Sequence, residues 1–164
     1  VEDNILSVLE MTGKPREYQM EKLESLINDF DLQKVRKNLG DQLSGGERRR
    51  TEIARCLAND PKFIMLDEPF AGVDPIQVEE IQNIVWRLKY RNIGILITDH
   101  NVDETLAITD RAYLLFEGRI LFQGSPEELA ENKIVKEKYL TTGFVLRKKD
   151  FQLSDEQKRA EEGK

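Results

Sequence analysis

The sequence predicts an α/β domain with a mostly parallel sheet, preceded by a helical stretch. Three observations predict it. Phe63-Ile64-Met65-Leu66 is a short apolar run that ends in acids, and Ile93 to Thr98 is a second one. Between them, Ile76 to Tyr90 has the helical period, with Ile81, Ile84, Val85 and Leu88 on one face. Strands that alternate with helices pair in parallel, because the intervening helix returns the chain to the same end of the sheet.

The elements follow in order. Residues 1 to about 40 read as helical. Ile5, Val8 and Leu9 form one apolar stripe, and Leu23, Leu26, Ile27 and Phe30 form another. Gly13-Lys14-Pro15 separates them. Gly45 to Ala58 is a helix stopped by Asn59-Asp60-Pro61. It carries Cys56 among Ala54, Leu57 and Ala58, a setting that predicts a packed, inert thiol. Both apolar runs are short enough to be fully buried strands. Asp74-Pro75 starts the helix after the first, with an acid at the N-cap and proline in the first turn. Asn101 to Thr109 is a short helix. Ala112 to Phe116 and Ile120 to Phe122 pair as a hairpin across Glu117-Gly118-Arg119. Ser125-Pro126-Glu127-Glu128 opens another helix, and charge dominates from Arg147 onward.

Composition narrows the function. The 164 residues are 39% hydrophobic and 34% charged, which suits a soluble globular fold. A net charge of −6 disfavours a nucleic-acid partner. No apolar run approaches the length of a membrane span. One cysteine cannot form an internal disulfide, which fits a reducing cytoplasm.

Three features carry chemistry. Leu43-Ser44-Gly45-Gly46-Glu47 opens a helix. Its glycines let a ligand approach the backbone, and a helix N-terminus presents unpaired N–H groups with partial positive charge. With the Ser44 hydroxyl this makes a phosphate cradle. Ser44-x-x-Glu47 also fits a capping box by itself, and the pattern alone leaves the two readings open. The second feature is Asp67-Glu68 at a strand end, where ligands of α/β sheets bind. Asp67 suits Mg²⁺, directly or through water, and Glu68 suits a general base for an attacking water. A strand-end acid pair that merely caps the next turn is common. The third is His100, the only histidine, after the second strand. There it would hydrogen-bond a terminal phosphate if both strand ends open onto one crevice.

The order of these features resembles the ATP-binding cassette (ABC) family. Leu43 to Glu47 resembles its signature motif, and Phe63 to Glu68 its Walker B strand. Ala71-Gly72-Val73-Asp74 looks like its D-loop and His100 like its switch histidine. The resemblance covers residues 1 to about 146. Within the family, Asp67 to Pro75, Ile97 to Val102, and Thr109 to Tyr113 followed by Glu117-Gly118 look most like the ATPase subunits of lipopolysaccharide exporters. ATPases of branched-chain amino acid importers look similar. Asp103 departs from the pattern, which favours a basic or polar residue there, and the charged tail from Arg147 runs past the family's expected end.

The resemblance implies a P-loop NTPase-like fold and ATP hydrolysis that powers transport, with ATP and Mg²⁺ as cofactors. It implies Glu68 and His100 as catalytic residues, Asp67 on the metal, and Ser44, Gly45, Gly46, Glu47 and Asp74 around nucleotide. It implies a head-to-tail homodimer in which one copy's signature motif closes over the other's ATP, with Asp74 communicating across it. Transmembrane transporter subunits are the further partners, at the inner face of the cytoplasmic membrane. On this view residues 1–42 are part of a helical subdomain and 43–125 the signature helix and part of the α/β core. Residues 126–146 are a C-terminal helical segment, and 147–164 a mobile charged tail.

The family's Walker A loop, G-x-x-x-x-G-K-[ST], is absent from these residues, and Gly13-Lys14-Pro15 has proline where the hydroxyl belongs. The Q-loop glutamine and the adenine-stacking aromatic are expected upstream of Val1. The chain is therefore expected to be an N-terminally truncated or cut piece, inactive by itself. The alternative is a natural non-catalytic partner that dimerises with a complete ABC ATPase.

Overall fold

The computed structural model describes residues 1–140 and Leu146, so the expected tail of residues 147–164 lies outside the described residues. The chain forms two compact units, Val1–Thr98 and a second that begins at Asp99.

In the first unit, α1 (Glu2–Met11) packs on α2 (Arg16–Asp29) and on α3 (Gly45–Leu57). Ile5 and Leu9 of α1 are fully buried, with Leu23, Leu26 and Ile27 of α2 and with Phe30 and Leu32 beyond it. Val8, the remaining member of the first expected stripe, is half-buried. Each fully buried side chain of this kind contributes roughly 1.5–3 kcal/mol. Arg36 ties the helices to the following turn. It holds Glu24 through both carboxylate oxygens, at 2.6 and 2.9 Å, and also pairs with Glu2. Hydrogen bonds from Arg36, reinforced by its charge, keep the carboxyls of Glu2 and Glu24 below their usual range.

Strand β1 (Phe63–Asp67) and strand β2 (Gly94–Thr98) pair in parallel, and α4 (Pro75–Lys89) is the crossover between them. The register sets Phe63 beside Gly94, Met65 beside Leu96 and Asp67 beside Thr98. The strands are parallel as predicted, but they are not fully buried. Ile64 and Leu66 point into the core, whereas Phe63, Met65 and Leu96 are 56%, 72% and 45% exposed. The reason is coverage. Helix α4 lies against β2, and the opposite face of this two-stranded sheet meets solvent. The ring of Phe63 lies flat enough over the sheet that a Cβ on Gly94 would fall 2.5 Å from its Cδ2. Cys56 is exposed, not packed. The inward face of α3 is Ile53, Ala54 and Leu57, which leaves Cys56 on the outer face.

Three loops that follow helices turn on short polar residues in the left-handed region: Asp31 after α2, Asp60 after α3 and Asn92 after α4, at φ 51°, 45° and 55°. Asp and Asn tolerate this conformation better than other side chains with a Cβ. Asp60 is also held by the Tyr18 hydroxyl at 2.6 Å and by Lys22 at 2.5 Å.

The second unit contains α5 (Val102–Leu106), β3 (Ala112–Phe116), β4 (Arg119–Gly124), α6 (Pro126–Glu131) and α7 (Lys133–Lys138). The predicted hairpin is present, with Glu117 and Gly118 both at positive φ, as a two-residue hairpin turn of the primed type requires. Its small core is Leu106, Leu129 and Val135, packed by Leu114 and Phe122 among others. Among the described residues, no helix is long and apolar enough to cross a membrane.

Candidate nucleotide site

The first turn of α3 settles how its cap is built. Ser44 is extended, and its hydroxyl accepts the Glu47 N–H at 3.3 Å. The Glu47 carboxylate accepts the Ser44 N–H at 2.8 Å, so the capping box is real. Those hydrogen bonds, with Arg50 nearby, hold the Glu47 carboxyl below its usual range. The box satisfies only the third N–H of the helix. The first two, on Gly45 and Gly46, lie outside the helix ladder and have no side chain of their own in front of them. Capping and anion binding are therefore compatible here.

The two glycines also have neighbours that no local pattern announces. A Cβ on Gly45 would lie 3.0 Å from the carbonyl oxygen of Gly72, and one on Gly46 would lie 1.8 Å from Oε1 of Gln77. The turn thus packs closely on the loop 71–74 and on the start of α4. Arg50 pairs with Glu80 and fastens α3 to α4 one turn further along.

At the end of β1, Oδ1 of Asp67 accepts the hydroxyl of Thr98, its register partner on β2. This fixes the carboxylate of Asp67, which is exposed at the sheet end. The next residue turns the chain. The Glu68 N–H continues the ladder onto the Thr98 carbonyl at 2.7 Å, and then φ of Glu68 is 45°. Glutamate in the left-handed region costs on the order of 1 kcal/mol. The Glu68 carbonyl closes a turn by accepting the Ala71 N–H at 3.2 Å, and it also accepts Nη2 of Arg49 at 3.0 Å. The Arg49 contact escaped sequence reasoning. Its one sequence trace is the spacing to Glu52, whose carboxylate takes the other arm of Arg49 at 2.7 Å.

Asp74 caps α4, accepting the N–H groups of Ile76 and Gln77, each at 3.1 Å. His100 lies in the second unit, is exposed, and has Nδ1 3.8 Å from Oδ1 of Asp99. The first unit thus brings together Ser44, Gly45, Gly46 and Glu47 on one helix start, and Asp67 and Glu68 on one strand end.

The donor set fits a nucleotide-bound magnesium ion. Among the described residues no cluster of three or more His, Cys, Asp or Glu could cage a metal. Mg²⁺ needs only one or two carboxylates, because it keeps waters and takes the rest of its shell from phosphate. A fixed strand-end carboxylate suits that role.

A parallel β–α–β unit with acids at the strand end, beside a Gly-Gly helix start, suits a nucleotide. The family model for ABC transporters matches residues 1–71. The chain is similar to ATP-binding proteins of ABC transporters. It is 51% identical over 144 residues to the lipopolysaccharide export system ATP-binding protein LptB of Acidithiobacillus ferridurans, covering 88% of this chain and 60% of that protein. It is 50% identical over 147 residues to LptB of Haemophilus influenzae, covering 89% and 61%. The chain thus spans about three-fifths of the length of these curated relatives. Among solved structures, it resembles the ATP-binding cassette MJ1267 at a TM-score of 0.73 and 30% identity, over 85% of this chain and 62% of that one. It also resembles cbiO1 of Clostridium perfringens, part of the ABC transporter complex cbiONQ, at 0.69 and 28%, over 80% and 54%. These likenesses bear out the P-loop NTPase-like fold expected from the motifs.

Proposed function

We propose that the protein containing this chain hydrolyses ATP to drive transport, and that its cargo is lipopolysaccharide. The observation that carries the hydrolytic reading is the turn at Glu68. A left-handed residue directly after the strand-end Asp67 turns the chain there, so that the two adjacent acids take different tasks. Asp67, oriented by Thr98, would hold Mg²⁺ directly or through water, and the bound ion would supply positive charge against the phosphates. Glu68 accepts the proton of the water that attacks the terminal phosphorus. The N–H groups of Gly45 and Gly46 and the Ser44 hydroxyl bind phosphate oxygens. In a head-to-tail pair of copies, they face the nucleotide held by the other copy. His100 contacts the terminal phosphate and reports its presence, and Asp74 caps α4 beside the copy interface. Residues 1–42 dock on membrane-spanning partners at the inner face of the cytoplasmic membrane.

The cargo assignment is supported by the identity of about half to two lipopolysaccharide export ATPases. Glu68→Gln in the full-length gene product tests the hydrolytic reading. ATP binding should persist while turnover falls by about 10²-fold or more, and unimpaired turnover would remove Glu68 from this role. Complementation of a strain depleted of its lipopolysaccharide export ATPase tests the cargo. Failure to restore growth by a well-expressed, ATP-hydrolysing protein counts against it.

A further inference from the structure

The Glu68 peptide is held from three sides, and one of the three contacts comes from a side chain. Its N–H is fixed by the strand ladder and its carbonyl by the Ala71 turn. The second lone pair of that carbonyl goes to Arg49, which is three-quarters buried and has its other arm clamped by Glu52. Arg49 stands one turn beyond the Gly45-Gly46 helix start. A rigid helix thus reaches from the phosphate-binding turn to the backbone of the general base. The guanidinium is planar and its donors lie in a fixed fork, so one arm bound to Glu52 aims the other.

We infer that Arg49 is a positioning residue for ATP hydrolysis: it pins the left-handed turn at Glu68 and thereby sets where the Glu68 carboxylate points. The inference rests on Glu68 as general base. Without Arg49 the strained turn keeps its ladder bond to Thr98 and its Ala71 hydrogen bond but loses the guanidinium that fixes the carbonyl. The carboxylate then samples positions away from the water, while the helix start that binds phosphate stays intact. The loss falls on the chemical step and spares nucleotide binding.

The test is made in the full-length gene product with Arg49→Met, which keeps the stem and removes the fork, and with Arg49→Lys. Arg49→Met should lower kcat about tenfold with KM for ATP changed less than about twofold, as expected for a transition-state-only loss. Arg49→Lys, which keeps a charged donor group but not the fork, should recover part of kcat. Amide hydrogen exchange gives a readout independent of activity: the Ala71 N–H should exchange faster in Arg49→Met than in the parent, with the α3 amides unchanged. Unchanged Ala71 exchange overturns the inference, as does a rise in KM that accounts for the whole loss of kcat/KM. Glu68→Gln in parallel separates the two levels. If that variant turns over normally, the general-base reading fails, whatever Arg49 does. If it is inactive while Arg49→Met is unaffected, only the positioning role fails.

Discussion

Two helices of this chain begin with the same four-residue device, and only one of them looks like a ligand site. At α3, Ser44 and Glu47 cap each other at 2.8 and 3.3 Å. At α6, Ser125 and Glu128 do so at 2.8 and 3.2 Å. The hydrogen bonds are equivalent, so the capping box does not set the two apart. The difference lies in the two residues inside the box. Gly45-Gly46 leaves two N–H groups bare. Pro126-Glu127 offers one N–H fewer and adds a second acid to the first turn. A Ser-x-x-Glu pattern announces a helix start, and the residues between its ends decide whether that start can hold a phosphate.

Rewriting one start as the other should have the largest effect. Gly45→Pro with Gly46→Glu gives α3 the first turn of α6. Turnover of the full-length gene product should fall by about 10²–10³-fold, the scale for losing aimed backbone donors. Far-UV dichroism should keep its helical signal; retained turnover would mean that the N–H groups of this turn hold no phosphate.

Removing each cap serine comes next. Ser44→Ala and Ser125→Ala should each destabilise by about 1 kcal/mol in chemical denaturation. Only Ser44→Ala should also slow turnover. Equal kinetic effects at both sites would erase the distinction drawn here.

The smallest effect is in acid. The Glu47 carboxyl titrates below its usual range in the folded chain, so its contribution is present above the unfolded value, about pH 4, and is lost as pH falls through the depressed folded value. The stability gap between the parent and Glu47→Gln should therefore be open at neutral pH and close on acidification. A gap that widens in acid would reverse the sign. The same direction holds for Glu2 and Glu24 on Arg36, so the α1–α2 end should loosen over the same acid range.

Local chemistry was legible in the sequence and tertiary coverage was not. The period of Ile5 and Leu9, the stop at Asn59-Asp60-Pro61, the Asp74-Pro75 start and the Glu117-Gly118 turn each follow from residues that act on their near neighbours. The strand positions also followed from apolar runs. Their burial did not, because a run of four apolar residues says nothing about what lies over each face. Phe63 and Met65 look outward for that reason. Cys56 is exposed despite its apolar neighbours because they sit on the other side of the same helix. At the site, the residue types were legible, whereas the left-handed Glu68 and its hold by Arg49 depend on a helix nineteen positions earlier in the chain. No local pattern encodes that contact.

Cys56 has a practical consequence. It is the only thiol in these 164 residues, it is exposed, and it rides on α3. At 1.5 Å per residue it lies about 16 Å along the helix from Gly45. A maleimide dye placed there would act as an optical lever on the helix that carries the phosphate-binding turn, turning a small tilt at one end into a readable displacement at the other.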